Sequence, residues 1–245
     1  MSSATADPAL QRRYLQAMGI DLWVPRRPAA AADPASGPAS REAGPTPAPE
    51  PAPAPGRDWE ALRQQVAGCT RCALHSGRTQ TVFGVGNREA DWMVIGEAPG
   101  AEEDRRGEPF VGRAGQLLNA MLRGVGLARE AVYIANILKC RPPNNRDPQP
   151  EEVACCEPYL REQVALVQPG LILAVGRVAA QNLLKTDAPL GRLRGRLHRY
   201  GPRKVPVVVT YHPAYLLRNP VDKRKAWDDL CLARQTLAAR GGAPG

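Results

Sequence analysis

The chain has 245 residues, and 43% of them are hydrophobic, so it can bury a substantial core and is not disordered throughout. No apolar run reaches the roughly 18 residues of a membrane helix, and residues 1–20 lack the basic-then-apolar pattern of a secretory signal. Neither a membrane span nor export is therefore expected. The formal net charge is +9, and the whole excess lies in residues 185–225, which contain eleven Lys or Arg and two Asp or Glu residues. A basic block of this density indicates a surface that faces a polyanion such as nucleic acid, with a solvated Arg-rich face as the alternative.

The N-terminal part of the chain divides into two segments. Residues 1–23 place apolar side chains near helical spacing, from Leu10 to Trp23, which predicts a short amphipathic peptide. This peptide either docks on a partner protein or packs loosely on the main domain. Residues 24–56 contain ten Pro and ten Ala among 33 positions, a composition that cannot bury a core and predicts a disordered linker of the polyproline type.

From residue 57 to residue 245 the pattern is that of a folded domain. Apolar runs typical of buried strands alternate with patterns typical of helices. The predicted strands cover residues 92–95, 132–135, 171–175 and 205–210, and the predicted helices cover about 115–123, 151–167, 178–184 and 223–239. This alternation indicates an α/β fold of three layers, with a mainly parallel four-stranded sheet covered by helices on both faces.

Polar and glycine-bearing segments follow the predicted strands, where open α/β sheets place their sites. The first strand runs into Gly96, Glu97 and Ala98, a turn that lets a ligand approach the backbone and projects Glu97 at the sheet edge. An ordinary turn is the alternative, and a P-loop is excluded because no Gly-Lys-Ser/Thr follows. Phe110 lies in a Gly/Pro loop, where an aromatic ring serves either as a stacking platform for a base or as a hydrophobic plug.

Two further polar residues end strands. Asn136 ends the second strand, and its amide offers a donor and an acceptor that suit an imide or amide edge, although Asn also caps loops. His212 follows the last strand and precedes a proline. A histidine held in this way can donate a hydrogen bond to developing negative charge.

The cysteines predict a sulfur-ligated centre. Cys69 and Cys72 form a C-x-x-C pair, and Cys140 and Cys156 follow at a distance, so that four thiolates can close a zinc or iron–sulfur site. A redox pair is the alternative, but this C-x-x-C does not lie at a thioredoxin-like strand end. Six cysteines in a chain without a leader favour a reducing compartment, here a cytoplasm of the bacterial type with its nucleoid.

Together, these motifs resemble those of family-4 uracil-DNA glycosylases, the iron–sulfur class of the uracil-DNA glycosylase superfamily. The resemblance covers about residues 57–240 and rests on ordered motifs with matching cysteine spacing. The motifs are Gly96-Glu97-Ala98-Pro99-Gly100, Pro109-Phe110-Val111-Gly112, Asn136 before Lys139-Cys140-Arg141-Pro142-Pro143, and His212-Pro213-Ala214. It implies the superfamily fold and an enzyme that flips uracil out of DNA and hydrolyses its N-glycosidic bond.

The resemblance also implies roles for individual residues. Phe110 stacks on the extruded uracil, Asn136 reads its Watson–Crick edge, and His212 lies at its O2 atom. Glu97 is the second catalytic residue, near the scissile bond. The remaining implied residues are Gly96 and Ala98 at the substrate, and Cys69, Cys72, Cys140 and Cys156 as ligands of a [4Fe-4S] cluster. The basic block adds Arg192, Arg194, Arg196 and Arg218, which are expected at DNA phosphates.

The family pattern prefers Cys156 over Cys155 as ligand, because Cys156 stands in the Cys-x-Pro-Tyr-Leu context. Ala98 and Gly100 stand where better-known glycosylases carry Asp and Tyr, which leaves the general base open. The implied partner is uracil-containing DNA, and a monomer is expected. The alternatives are a non-catalytic or covalent uracil-DNA-binding iron–sulfur protein and, from a different class, an iron–sulfur electron carrier or metal-sensing regulator.

Overall fold

The computed structural model describes residues 59–241. The predicted peptide over residues 1–23 and the predicted linker over residues 24–56 lie outside the described residues. In the described part, no helix combines the length and the apolar character that a membrane span requires.

A single mixed sheet forms the centre of the fold. Its strands are β1 (Val85–Gly86), β2 (Trp92–Gly96), β3 (Tyr133–Asn136), β4 (Leu171–Val175), β5 (Leu197–Tyr200) and β6 (Val205–Thr210). Their order across the sheet is β1-β3-β2-β4-β6-β5. Strands β3, β2, β4 and β6 are parallel, whereas β1 and β5 pair antiparallel at the two edges. The four predicted strands are confirmed, but the sheet has six strands and not four.

The two edge strands carry no buried apolar run that would have predicted them. Strand β1 has only two residues. Strand β5 lies in the basic block and alternates between exposed and half-buried positions.

Helices cover both faces of this sheet. They are α1 (Trp59–Ala67), α2 (Ala101–Arg106), α3 (Arg113–Gly124), α4 (Pro150–Val167), α5 (Arg177–Leu184), α6 (Leu190–Leu193), α7 (Pro213–Arg218) and α8 (Lys223–Gly241). The four predicted helices correspond to α3, α4, α5 and α8. Short 3-10 turns occur at Ala73–Ser76, Arg129–Ala131, Pro143–Asn145 and Pro220–Asp222.

Successive side chains of each buried strand point to opposite faces and so build two separate cores. On one face, Ile95 and Ala174 pack with Leu160 of α4 and Ala179 of α5. On the other face, side chains such as Val94 and Leu173 pack with residues of α3 and α8. Because parallel strands are buried on both faces, the predicted three-layer α/β/α architecture is confirmed.

The parallel strands bring their carboxyl ends to one edge of the sheet. Gly96 at the end of β2 is in register with Asn136 at the end of β3. Val175 at the end of β4 is in register with Thr210 at the end of β6. The residues that follow these ends therefore lie near one another, as open α/β sheets require for a site.

Candidate active site

Gly96 lies where two of the candidate substrate-binding side chains meet. A Cβ atom placed on Gly96 would lie 2.5 Å from Oδ1 of Asn136 and 2.6 Å from Cζ of Phe110. Only the absence of a side chain at this position allows the phenyl ring and the amide to come so close. The end of β2, the end of β3 and the loop before α3 are therefore in contact around Gly96.

His212 completes this group. The centroids of the His212 and Phe110 rings are 5.6 Å apart, and the two rings are inclined by 32°. His212 is the N-cap of α7, and its Nδ1 atom accepts a hydrogen bond from the backbone N–H of Ala214 at 3.1 Å. On its other side, the turn after β4 approaches closely, because a Cβ atom on Gly176, whose φ is +98°, would lie 3.0 Å from Cβ of His212.

The imidazole of His212 is neutral at neutral pH. Its pKa is lowered to about 4, chiefly by burial and in part by the nearby Arg218, while Glu103 acts in the opposite direction. Since Nδ1 accepts a hydrogen bond, the single ring proton is on Nε2. The side chain is therefore a neutral donor that points its free N–H away from α7.

Glu97 follows β2 directly and is half-buried. The pKa of its carboxyl group is raised to about 7, chiefly by burial and in part by Asp147, while Arg177 opposes the shift. These two neighbours form an ion pair, with Nη2 of Arg177 2.5 Å from Oδ2 of Asp147. A carboxyl group with this pKa exchanges its proton near neutral pH, a property that perturbed groups at active sites often share.

The loop that carries Phe110 is held by two charged side chains that the motifs did not predict. Phe110 has a positive φ of 54°, a strained conformation for a residue with a side chain. Oε1 of Glu103 accepts hydrogen bonds from the backbone N–H groups of Val111 and Gly112 at 3.0 and 3.1 Å. Arg129 donates to the carbonyl of Pro109 at 2.6 Å and to that of Phe110 at 3.3 Å.

Of these two side chains, only Glu103 has a sequence signal. It stands three residues after Gly100, the N-cap of α2, where a capping box places an acidic residue. Arg129 has none, because its role depends on a contact with a loop about 20 residues away.

Ala98 has a different environment from the group around Gly96. It is partly buried against the core on the face that α4 and α5 cover. The structure therefore brings Gly96, Phe110, Asn136 and His212 together and places Glu97 directly beside Gly96 in the chain. The role of each in binding or catalysis remains a prediction.

The four candidate cysteine ligands are free thiols, and two of them are buried. Cys140 and Cys156 lie in the same core cluster, and Cys72 packs against it. The pKa of Cys156 is raised to about 11, chiefly by burial and in part by Cys140 and Cys72, while Lys139 acts in the opposite direction. The pKa of Cys140 is raised in the same way, by burial and by Cys72 and Cys69. Cys140 thus responds to Cys69 and Cys72, and Cys156 responds to Cys72 and Cys140, so the four thiols are electrostatically linked through Cys72 and Cys140.

Arg78 forms hydrogen bonds to two of these four cysteines, Cys69 and Cys140. Its Nη1 atom donates to Sγ of Cys140 at 3.2 Å and to the carbonyl oxygen of Cys69 at 2.8 Å. Within residues 59–241, no three His, Cys, Asp or Glu side chains are placed to share a single metal ion. A set of four soft sulfur donors beside a cation fits an iron–sulfur cluster by its donor chemistry. Cys155 is a half-buried neighbour, and its Sγ donates to the carbonyl of Arg71 at 3.2 Å.

The predicted phosphate-binding arginines fall into two groups. Arg192, Arg196 and Arg218 are exposed. Arg194 instead donates to the two carboxylate oxygens of the buried Asp229 at 3.0 and 3.1 Å. Its guanidinium also lies over the ring of Tyr211, 5.4 Å from the centroid. Arg194 thus contacts both α8, through Asp229, and Tyr211, the residue before His212.

Comparison with known proteins agrees with this geometry. The sequence model of the uracil DNA glycosylase superfamily matches residues 83–231. A type-4 uracil-DNA glycosylase of Archaeoglobus fulgidus is 48% identical over 164 residues, which cover 64% of this chain and 82% of that protein. The type-4 enzyme of Thermotoga maritima is 45% identical over 186 residues, covering 74% and 96%, and that of Pyrobaculum aerophilum is 40% identical over 181 residues, covering 71% and 92%. The family that the motifs resemble is thereby confirmed, and this chain belongs to the type-4 family of the uracil-DNA glycosylase superfamily.

Proposed function

We propose that this protein is a DNA-repair hydrolase that releases uracil from DNA by cleaving the N-glycosidic bond and leaves an abasic site. The observation that carries the proposal is the meeting of Phe110, Asn136 and His212 around Gly96 at the carboxyl edge of the parallel strands. An aromatic plate, an amide and a neutral imidazole donor are the groups that an extruded pyrimidine needs. Family membership supports the same reaction.

Base recognition is the first step. A uracil inside a duplex must be rotated out of the stack, at a cost of a few kcal/mol. Stacking on Phe110 returns about 1–3 kcal/mol. Held in one orientation, the amide of Asn136 donates to O4 and accepts from N3–H of uracil, whereas cytosine presents the opposite pattern of donor and acceptor at these positions.

Departure of the base is the second step. Cleavage of the C1′–N1 bond leaves negative charge on the uracil and positive charge on the sugar. His212 donates its Nε2–H to the uracil O2 atom, where the negative charge develops. Since the imidazole is already neutral, it stabilises the anion by a fixed hydrogen bond and without a proton transfer.

Glu97 acts on the sugar side of the bond. Its carboxylate stabilises the developing sugar cation and orients the water that attacks C1′. This role requires the charged form, and the raised pKa of about 7 means that a large fraction of the carboxyl groups is protonated at neutral pH in the free protein. Asp147 and Arg177 set that fraction in opposite directions.

Cys69, Cys72, Cys140 and Cys156 hold a [4Fe-4S] cluster in this proposal. The support is the electrostatic influence of Cys69 and Cys72 on Cys140 and of Cys72 and Cys140 on Cys156, together with the free thiols and the hydrogen bond from Arg78 to Cys140. These cysteines would hold the cluster from the segment after α1, the chain that follows β3 and helix α4, and the cluster would cross-link these segments. Because Cys140 comes four residues after Asn136, this cross-link braces the base-reading end of β3.

Uracil-containing DNA is the partner, and Arg192, Arg196 and Arg218 contact its phosphates. Their exposure and their place in the basic block of residues 185–225 support this assignment. We also propose that the protein acts as a monomer.

An excision time course on an oligonucleotide with a single deoxyuridine tests the proposed function. The substrate is supplied in excess over the protein, and abasic sites are counted by alkaline cleavage. We expect many abasic sites per protein molecule, and none on matched oligonucleotides with thymidine or deoxycytidine. A yield that stops at one site per protein, or a covalent protein–DNA product, would establish the uracil-binding alternative instead.

A further inference from the structure

A lysine is buried directly behind the candidate base reader. Lys139 is 1% exposed, and it stands three residues after Asn136 and one before Cys140. Its Nζ atom donates a hydrogen bond to the backbone carbonyl of Asn136 at 2.9 Å and another to Oε1 of Gln163 at 2.6 Å. A buried polar group without such partners would be costly, so these bonds fix the side chain in place.

Gln163, which accepts the hydrogen bond from Lys139, also contacts the first residue of β3. It is 0% exposed on α4, and its Nε2 atom donates to the hydroxyl of Tyr133 at 3.1 Å and to the carbonyl of Phe83 at 2.8 Å. Tyr133 begins β3 and Asn136 ends it. One buried amide therefore holds β3 at both ends, directly at Tyr133 and through Lys139 at Asn136.

At its carboxyl end, β3 pairs with a neighbouring strand on one side only. Strand β1 pairs only with Tyr133 and Ile134, so it does not reach Asn136. On the other side, pairing with the chain after β2 continues past Asn136, because Ile137 donates to the carbonyl of Gly96 at 2.9 Å. Lys139 thus supplies, from its side chain, the donor that a longer β1 would give.

We propose that Lys139 and Gln163 are positioning residues, which hold the main chain at Asn136 and thereby direct its amide at the base. This inference rests on the proposed function, since it assumes that Asn136 reads uracil. The two hydrogen bonds of Nζ can be donated by an ammonium or by an amine, so the role does not depend on the charge of Lys139. A displacement of about 1 Å at a substrate-positioning group is enough to lower a rate about 100-fold.

A double-mutant cycle tests this role. Lys139→Met and Gln163→Leu are made in the wild-type chain and in an Asn136→Ala chain, and uracil excision is measured under single-turnover conditions with excess protein. In the wild-type background we expect each substitution to lower the rate about 10- to 100-fold. In the Asn136→Ala background we expect less than about a threefold further loss, because the group that the network directs is absent.

Melting temperatures separate positioning from stability, since a purely structural loss would lower both the rate and the melting temperature equally in the two backgrounds. Arg161→Met, on the exposed face of α4, and Gln64→Leu, exposed on α1, are the matched controls and should leave the rate unchanged. If Lys139→Met does not fold, Gln163→Leu carries the same test. Equal fold losses in both backgrounds, or no loss in either folded variant, would overturn the inference. A wild-type chain without excision activity would instead overturn the proposed function.

Discussion

Ala214 donates its backbone N–H to Nδ1 of His212 at 3.1 Å, so the first turn of α7 determines which ring nitrogen carries the proton. The same bond caps the helix, and a single contact therefore sets both the helix start and the tautomer. Since burial holds the pKa of His212 at about 4, the ring keeps a donor at Nε2 over the whole neutral range.

His212→Ala should lower the single-turnover excision rate by about 100- to 1,000-fold, the usual effect of removing one donor to a developing anion. The affinity for uracil-containing DNA, measured by fluorescence anisotropy, should stay within about threefold, because the hydrogen bond strengthens only as charge develops. Equal losses of rate and affinity would mean that His212 contributes to binding alone.

Excision should fall as the pH is lowered through about 7, because protonation of Glu97 removes the carboxylate that the sugar cation needs. Asp147 raises the pKa of Glu97 and Arg177 lowers it, so the two neighbours give predictions of opposite sign. Asp147→Asn should move the acid limb to lower pH, and Arg177→Met should move it to higher pH. The measurement is the single-turnover rate from about pH 5 to about pH 9, with DNA saturation confirmed at each point.

Glu97→Gln is the control for this profile and should remove the acid limb. Titration of His212 lies near pH 4 and does not contribute in this range. A limb that persists in Glu97→Gln, or that moves in the same direction in both neighbour variants, would exclude Glu97 as the titrating group.

Gly96→Ala should abolish most of the activity while the fold survives. The new Cβ atom would lie 2.5 Å from Oδ1 of Asn136 and 2.6 Å from Cζ of Phe110. Both contacts are to the ends of side chains, which can move away, so the clash displaces the base-binding groups and leaves the backbone in place. We expect a loss of about 100-fold in rate, with a small change in melting temperature.

Gly77→Ala is the matched control for this substitution. A Cβ atom at Gly77 would meet no atom within 4 Å, and its φ of −106° suits alanine. It should therefore leave rate and melting temperature unchanged. A Gly96→Ala protein with wild-type activity would show that Phe110 and Asn136 need not approach as closely as they do.

The parts of the fold that could be predicted are those that a short stretch of sequence encodes. Strands β4 and β6 are uninterrupted apolar runs, and both were predicted to the residue. Strand β5 was missed because it lies in the basic block and pairs only along its inner edge with β6. The strand ends then located Asn136 and His212 at one edge of the sheet, whereas Phe110 was singled out only as an aromatic residue in a Gly/Pro loop.

The residues that support the site could not be predicted in this way. Arg129 contacts the carbonyl of Pro109, 20 residues away, and Gln163 contacts that of Phe83, 80 residues away. Arg194 was predicted as a phosphate ligand from local charge, and its hydrogen bond to Asp229, 35 residues later, had no signal in the sequence. In each case the partner is chosen by tertiary packing, which local composition does not encode.

Cys155 and Cys156 are adjacent on α4 and provide a matched pair for the cluster. Cys156 is buried beside Cys140, whereas Cys155 donates to the carbonyl of Arg71. Purified wild-type protein should be brown and contain about four iron atoms per chain. Cys156→Ser should lose iron and visible absorbance, and Cys155→Ser should keep both. A colourless, zinc-loaded protein with full activity would contradict the cluster.

Arg194 and Arg196 lie two residues apart, and their substitution should affect different properties, stability for Arg194 and DNA binding for Arg196. Arg196 is exposed, so Arg196→Met should weaken DNA binding and reduce the slope of log Kd against log salt concentration by about 0.9, the contribution of one phosphate contact to a duplex. Arg194→Met leaves the buried Asp229 without its cation, at a cost on the order of 3 kcal/mol.

This cost corresponds to a melting temperature lower by about 6 to 12 °C for a chain of this size. Asp229→Asn, combined with Arg194→Met, should recover part of the loss, because the double variant leaves no unpaired buried charge. Salt titrations of duplex binding and thermal melts on the same preparations separate the two arginines. If Arg194→Met changed the salt slope and left the melting temperature unchanged, Arg194 would be a phosphate ligand, and its bond to Asp229 would not contribute to stability.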